Sequence, residues 1–261
     1  MLNQFSRTAL QLGNDNMNKL YGARVAVFGI GGVGGYCAEA LARTGIGAID
    51  LFDDDRICLT NLNRQIIATQ KTVGRYKADV MRERIHEINP DAKVGAHRVF
   101  YGPDTAGAVD LSVYDYIADA VDTMTAKLEL VCRANALGVP IISCMGAANK
   151  LDASAFEVAD IRETSVCPMA RIMRKELRNR GIEALKVVYS KEPAMKPLED
   201  AAESCRHHCV CPPGVTRTCL RRRQVPASNA FVPAVAGLIM AGEMIRDLIA
   251  APQACVAEGG R

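Results

Sequence analysis

Gly29-Ile30-Gly31-Gly32-Val33-Gly34 stands between an apolar run, Arg24–Phe28, and a helix-patterned run, Tyr36–Arg43. Glycines at a strand-to-helix turn let backbone N–H groups approach a phosphate at the positive end of a helix. An acidic cluster, Asp53-Asp54-Asp55, begins nineteen residues beyond Gly34, near the ~20-residue offset at which a ribose-binding acid stands. Asp54 and Asp55 also suit a solvated strand end and helix cap. The pattern implies a nucleotide ligand and leaves NAD, FAD, SAM and ATP open.

Strand and helix signals alternate beyond this turn. Ala48–Phe52 reads as a second strand, Lys77–Ile85 as a helix stopped by Asn89-Pro90, and Lys93–Arg98 as a short edge strand. Tyr114–Ala118 reads as a third parallel strand, Thr125–Leu137 as a helix ended by Gly138, and Val139–Ser143 as the next strand. Short helices are expected over Ser6–Leu12 and Asn16–Leu20. Past Gly146, Ala153–Val158 and Leu185–Tyr189 read as strands, Met169–Asn179 as a helix, and Phe231–Leu248 as a closing helix that Pro233 enters in its first turn. The fold expected is α/β: a Rossmann-like, doubly wound, mostly parallel sheet with an extended C-terminal part, its ligand at the carboxyl ends of the strands. One ATP-binding domain over 1–255 and a tail, 256–261, account for the chain.

At 261 residues and 49% hydrophobic, the chain can bury a substantial core. The N-terminal residues carry no secretory apolar run, and the longest apolar stretch, Ala230–Gly242, falls short of the ~20 residues that span a bilayer. The cytoplasm is the expected compartment, with no membrane partner. A net charge of +3 neither demands nor excludes a polyanion.

Charged residues narrow the choice of nucleotide. A nicotinamide cofactor needs the glycine turn and one acid, whereas cleaving ATP calls for cations aimed at the phosphates and a carboxylate that holds magnesium. Asn61-Leu62-Asn63-Arg64-Gln65, then Lys77, then Asp122 supply that set, with Arg64 and Lys77 as the cations and Asp122 as the carboxylate.

The Gly29–Gly34 turn, Asp53, Asn61-Leu62-Asn63-Arg64-Gln65, Gly74 with Lys77, and Asp122 together resemble the adenylating enzymes of the ubiquitin-activating superfamily. That superfamily includes the bacterial activators of sulfur carriers. The resemblance implies that Gly29, Gly31, Gly32 and Gly34, with Asn61 and Gln65, line the ATP site. It implies further that Asp53 holds the ribose, Arg64 and Lys77 bind phosphates, and Asp122 orients magnesium. Family members carry an N-terminal arginine that reaches the partner subunit's ATP site. Arg7 in Phe5-Ser6-Arg7 stands at the matching place, which implies a homodimer.

A segment of about forty residues, Ser190–Asn229, lacks regular patterning and is rich in cysteine and arginine. Loops beyond about 12–15 residues tend to be functional or disordered. Cys205, Cys209, Cys211 and Cys219 fall there with spacings of three, one and seven residues, unlike the paired C-x-x-C of a structural zinc site. A bound metal, a thiol or persulfide relay to a sulfur-transfer partner, and free thiols all remain open. Cys37, Cys132 and Cys144 read as small core residues.

Cys-x-Cys-Pro-Pro-Gly, the Arg222–Pro226 motif and Phe231–Gly237 resemble the tRNA threonylcarbamoyladenosine dehydratases. This second resemblance implies ATP-driven cyclisation of a threonylcarbamoyl group on the adenosine beside the anticodon, with tRNA as partner. Activation of a carrier protein ending in Gly-Gly is the alternative. Two arginine groups, Arg171–Arg180 and Arg217–Arg223, are candidates for tRNA phosphates.

Overall fold

The computed structural model describes residues 2–198 and 226–250. Among the described residues, seven strands form one sheet: β1 (Arg24–Phe28), β2 (Ala48–Phe52), β3 (Lys93–His97), β4 (Tyr116–Asp119), β5 (Ile141–Cys144), β6 (Phe156–Asp160) and β7 (Lys186–Ser190). Their order is β3-β2-β1-β4-β5-β7-β6. All neighbours pair in parallel except β6, which runs antiparallel to β7 at one edge. The helices are α1 (Ser6–Leu12), α2 (Asn14–Gly22), α3 (Gly34–Thr44), α4 (Lys77–Ile88), α5 (Met124–Leu137), α6 (Pro168–Arg178) and α7 (Val232–Ala250).

Strand alternation sorts side chains onto two buried faces, as a helix-covered parallel sheet requires. Val25 and Val27 of β1 join Leu41 of α3, Met81 of α4 and Met240 of α7 on one face. Ala26 and Phe28 point the other way, toward Phe52 and Leu130 of α5, and farther along that face α6 packs beneath β7. The expected β-α-β grammar thus holds over the first five strands. Asp50 interrupts the apolar run of β2. It is buried but accepts two hydrogen bonds from Arg24 (2.8 and 2.9 Å) and lies 2.9 Å from His97 Nε2. A Cβ on Gly95 would come within 1.9 Å of its Oδ1, so a glycine on β3 makes room for the carboxylate.

The departures from the sequence reading have local causes. Ala153–Ala155, expected within a strand, forms a 3-10 turn because the Asp152 carboxylate accepts the Ser154 N–H at 2.8 Å. The following strand, β6, is antiparallel, an orientation that periodicity does not encode. Cys37 and Cys144 are buried, and burial pushes the Cys144 thiol up to about 12; Cys132 is half-buried. Among the described residues no helix is long and apolar enough to cross a membrane. Cys205, Cys209, Cys211 and Cys219, with Arg217–Arg223, lie outside the described residues. The flanks of that segment meet at Asn149. Its carbonyl accepts the Met195 N–H at 2.8 Å, while its amide oxygen and N–H exchange 2.8 Å bonds with Ala227.

Helix α7 crosses α3 at Gly237, where a Cβ would sit 2.2 Å from the Val33 carbonyl oxygen and 3.0 Å from the Cys37 nitrogen. Gly237→Ala should therefore push the helices apart and lower stability by about 1–3 kcal/mol, read as a lower urea midpoint. An unchanged midpoint would contradict this close approach.

Candidate nucleotide-binding site

The glycine turn sits where β1 ends and α3 begins, at the carboxyl edge of the sheet. Gly29 has φ +87°, and a Cβ there would lie 2.7 Å from the Ala120 carbonyl oxygen; one on Gly34 would lie 1.8 Å from the Gly29 oxygen. Those two glycines are required by the turn itself. Gly31 is different, because a Cβ there would meet nothing closer than Gln65 Nε2 at 3.9 Å. Internal packing does not demand a glycine at that position. The bare backbone leaves room for another molecule.

Asp53 closes over the turn from the end of β2. Its Oδ2 accepts the Ile30 N–H at 2.6 Å and its Oδ1 accepts the Asp55 N–H at 2.8 Å. A carboxylate offers about four acceptor sites, so Asp53 retains capacity for a hydroxyl pair. Lys77, the first residue of α4, extends into the same place. Its Nζ lies 2.8 Å from Asp55 Oδ2 and 4.0 Å from Asp53 Oδ1, with its side chain 8% exposed. The lysine is placed by its N–H to the Asp55 carbonyl (3.0 Å) and by the Arg56–Tyr76 bridge just before it.

Burial pulls the Lys77 ammonium down, yet Asp53, Asp55 and Asp122 together outweigh it and hold the group above the ordinary lysine value. Burial lifts the Asp53 carboxyl above its ordinary value, against Lys77 and the two backbone N–H donors. Lys77 is thus a buried cation held charged by acids. Carboxylate oxygens of Asp53, Asp54 and Asp55 gather within 4.8 Å, but Lys77 already neutralises two of them, which makes this trio a lysine cradle rather than a cation cage. Asp122 stands apart, exposed after β4 and within electrostatic reach of Lys77.

The Asn61–Gln65 segment forms the opposite wall. The Asn61 carbonyl accepts the N–H groups of Arg64 (3.1 Å) and Gln65 (2.9 Å), and its side chain accepts the Cys58 N–H at 3.1 Å. Asn61 therefore shapes the turn that presents its neighbours. Arg64 Cγ would lie 3.5 Å from a Cβ on Gly32, and the guanidinium donates to the Thr60 carbonyl (3.0 Å) and Asn63 Oδ1 (2.8 Å). Gln65 is buried beside the turn, and its Oε1 has no hydrogen-bond partner. An orphaned acceptor of this kind costs free energy unless a ligand or water completes it.

The structure brings Gly29, Gly31, Gly32, Gly34, Asp53, Asn61, Arg64, Gln65, Lys77 and Asp122 to one edge of the sheet. Arg7 is not among them. Phe5 lies in a cleft with Arg43, Arg84, Glu87 and Ile88, at the far ends of α3 and α4. The length of α3, roughly 16 Å at 1.5 Å per residue, separates that end from the glycine turn, beyond an arginine's reach within one chain. Arg7 itself is exposed.

Sequence reasoning missed two parts of the site. One is its rim, where Asn63 Nδ2 donates to the Ser228 carbonyl at 2.9 Å and Pro233 of α7 stands 3.2 Å from a Cβ placed on Gly32. The other is a buried cluster beneath Asp122, made by Asp119, Lys127 and Ser143. The signal for the second was present: an acid and a lysine inside otherwise apolar strand and helix patterns.

Comparison with known proteins agrees with this fold. The ThiF family model matches residues 5–258. A tRNA threonylcarbamoyladenosine dehydratase of Bacillus subtilis is 41% identical over 251 residues, covering 95% of this chain and 96% of that protein. The crystal structure of the Escherichia coli tRNA N6-threonylcarbamoyladenosine dehydratase in complex with AMP superposes with a TM-score of 0.81 at 31% identity, covering 95% of this chain and 94% of that one. The same enzyme in complex with ATP gives 0.77 at the same identity and coverage. The chain belongs to the ThiF family and, within it, to the tRNA threonylcarbamoyladenosine dehydratases.

Proposed function

We propose that this protein uses ATP to cyclise the threonylcarbamoyl group on the tRNA adenosine beside the anticodon, through an acyl-adenylate. The observation that carries this reading is the buried, charged Lys77 held by Asp53 and Asp55 beside an open glycine turn, in a chain 41% identical to a dehydratase along nearly its whole length. A fixed cation suits a departing pyrophosphate, which hydride transfer does not produce. The ATP and AMP complexes of the Escherichia coli relative support the nucleotide.

In this reading the turn's N–H groups take the phosphates, Asp53 takes the ribose hydroxyls, and Gln65 completes its free acceptor on the ligand or its water. Asp122 is the carboxylate that would hold magnesium, which when bound would supply charge neutralisation for the phosphates. A carboxylate oxygen of the threonyl group attacks the α-phosphorus. The bond to the bridging oxygen breaks, and pyrophosphate leaves with the electron pair, stabilised by Arg64 and Lys77. A nitrogen or oxygen of the same side chain then attacks the activated carbonyl, AMP departs and one proton is lost. Intramolecular closure supplies the effective concentration for this second step, and no protein nucleophile is required. These steps assign no duty to Cys205, Cys209, Cys211 and Cys219; metal binding or sulfur relay with a protein partner would be additional to them.

Purified protein with magnesium, ATP and tRNA bearing the open threonylcarbamoyl group should release pyrophosphate and yield a nucleoside lighter by one water in mass spectrometry. Release with a Gly-Gly-ended carrier instead of tRNA would overturn the reading in favour of carrier activation. Arg64→Ala and Lys77→Ala should each lower the rate by roughly 10²–10³-fold while leaving the circular dichroism spectrum intact, and near-normal rates would remove both from phosphate binding.

The distance of Arg7 from its own site supports a homodimer in which it acts on the partner. Arg7→Ala and Arg64→Ala proteins, each inactive alone, should regain about a quarter of wild-type activity when their subunits are exchanged, because half the dimers then carry one intact site. No recovery after verified exchange would contradict the assignment in trans.

A further inference from the structure

Asp119, Lys127 and Ser143 form a polar cluster with no solvent exposure inside an otherwise apolar layer. Lys127 Nζ lies 2.8 Å from Asp119 Oδ2 and 3.1 Å from Ser143 Oγ, and Ser143 Oγ donates to the same Asp119 oxygen at 2.6 Å. The other Asp119 oxygen accepts the Val121 N–H at 3.2 Å. Three elements meet there: the end of β4, the first turns of α5 and the middle of β5.

Stability does not account for it. Burying an ion pair removes two charges from water, and apolar side chains of similar volume hold the same space at no greater cost. What the cluster does fix is the course of four residues. Asp119 anchors the backbone at Val121, and Lys127, whose N–H bonds the Thr123 carbonyl at 3.0 Å, ties the start of α5 to the same carboxylate. Asp122 lies between these two anchors. Ala120, also between them, is the residue whose carbonyl abuts Gly29 and whose Cβ would lie 3.1 Å from a Cβ on Gly34. Ala120 is held by its own close contacts with the glycine turn, so what the buried cluster sets is the course of the chain at Asp122.

We propose that Asp119, Lys127 and Ser143 are positioning residues for the nucleotide site: they touch no ligand, and they hold Asp122 where a magnesium-bound triphosphate needs it. This rests on the reading of Asp122 as the magnesium carboxylate. Residues that orient a metal-holding side chain typically change metal affinity by 10–100-fold when replaced.

Lys127→Ala leaves Asp119 buried and unpaired and is expected to unfold the protein, so the informative variant is Asp119→Asn/Lys127→Met. It keeps an acceptor for Val121, a partner for Ser143 and the volume of the lysine stem, with no net buried charge. ATP affinity is measured by calorimetry with and without magnesium, for wild type, this double variant, Asp122→Ala and the combination of all three changes. The expected result is a folded double variant whose magnesium-dependent tightening falls by about tenfold or more, with magnesium-free ATP affinity within about twofold of wild type. Asp122→Ala should lose the same tightening, and the combined variant should lose no more.

A double variant that folds and keeps the full magnesium effect would overturn the proposal while leaving ATP use intact. A further loss on top of Asp122→Ala would also overturn it, since the cluster would then act by another route. Wild-type magnesium tightening that persists in Asp122→Ala would instead overturn the role of Asp122, and the proposal with it. If even the double variant fails to fold, Ser143→Ala, which removes one hydrogen bond and no charge, decides the matter by the same measurement.

Discussion

A lysine ammonium 8% exposed at the end of a sheet is stable only if other groups hold its charge, and the site is organised around that need. Asp53 and Asp55 hold Lys77 from the end of β2, and the same Asp53 accepts the Ile30 N–H of the glycine turn. The carboxylate thereby links the helix-start that welcomes an anion to the cation that would bind one. Without a ligand the cation is satisfied by acids; with a triphosphate nearby the same cation has a stronger partner in reach. Electrostatic preorganisation of this kind needs no large motion.

The glycines divide the labour in a way that composition does not reveal. Gly29 and Gly34 allow the chain to turn tightly against Ala120, whereas Gly31 is left open where folding does not require it. On the outer side, Gly237 lets α7 approach α3, which brings Pro233 over Gly32 and the Ser228 carbonyl to Asn63. The C-terminal helix is thus part of the site. Phe231–Gly237, one of the three motifs that resemble those of the dehydratases, falls at the start of this helix and lies against the glycine turn.

Much of this was legible in the sequence because it rests on local rules. The β-α-β periodicity, the glycine turn and the stop at Asn89-Pro90 depend on residues close in the chain, and their elements fall where the patterns put them. The gathering of Arg64, Lys77 and Asp122 was legible only through their joint spacing, since each alone resembles a solvated surface charge. The buried Asp50 with Arg24 and His97, the Asp119–Lys127–Ser143 cluster and the antiparallel edge strand were not read. In each, a polar residue or a strand direction is decided by partners on other elements, 8 to 47 residues away, which a single sequence does not pair. Arg7 shows a further limit: its place in the chain is plain, while its distance from the turn emerges only from the packing of Phe5 beside the far end of α3.

The central claim is that Lys77 is a phosphate ligand beyond the α-position, held in readiness by acids. Equilibrium binding of ATP and AMP to the wild type and to Lys77→Met tests it most directly. Wild-type protein should bind ATP more tightly than AMP in magnesium, and the substitution should erase that difference while leaving AMP affinity nearly unchanged. Equal affinity of the wild type for the two nucleotides, or a preference for ATP that survives in Lys77→Met, would contradict the account.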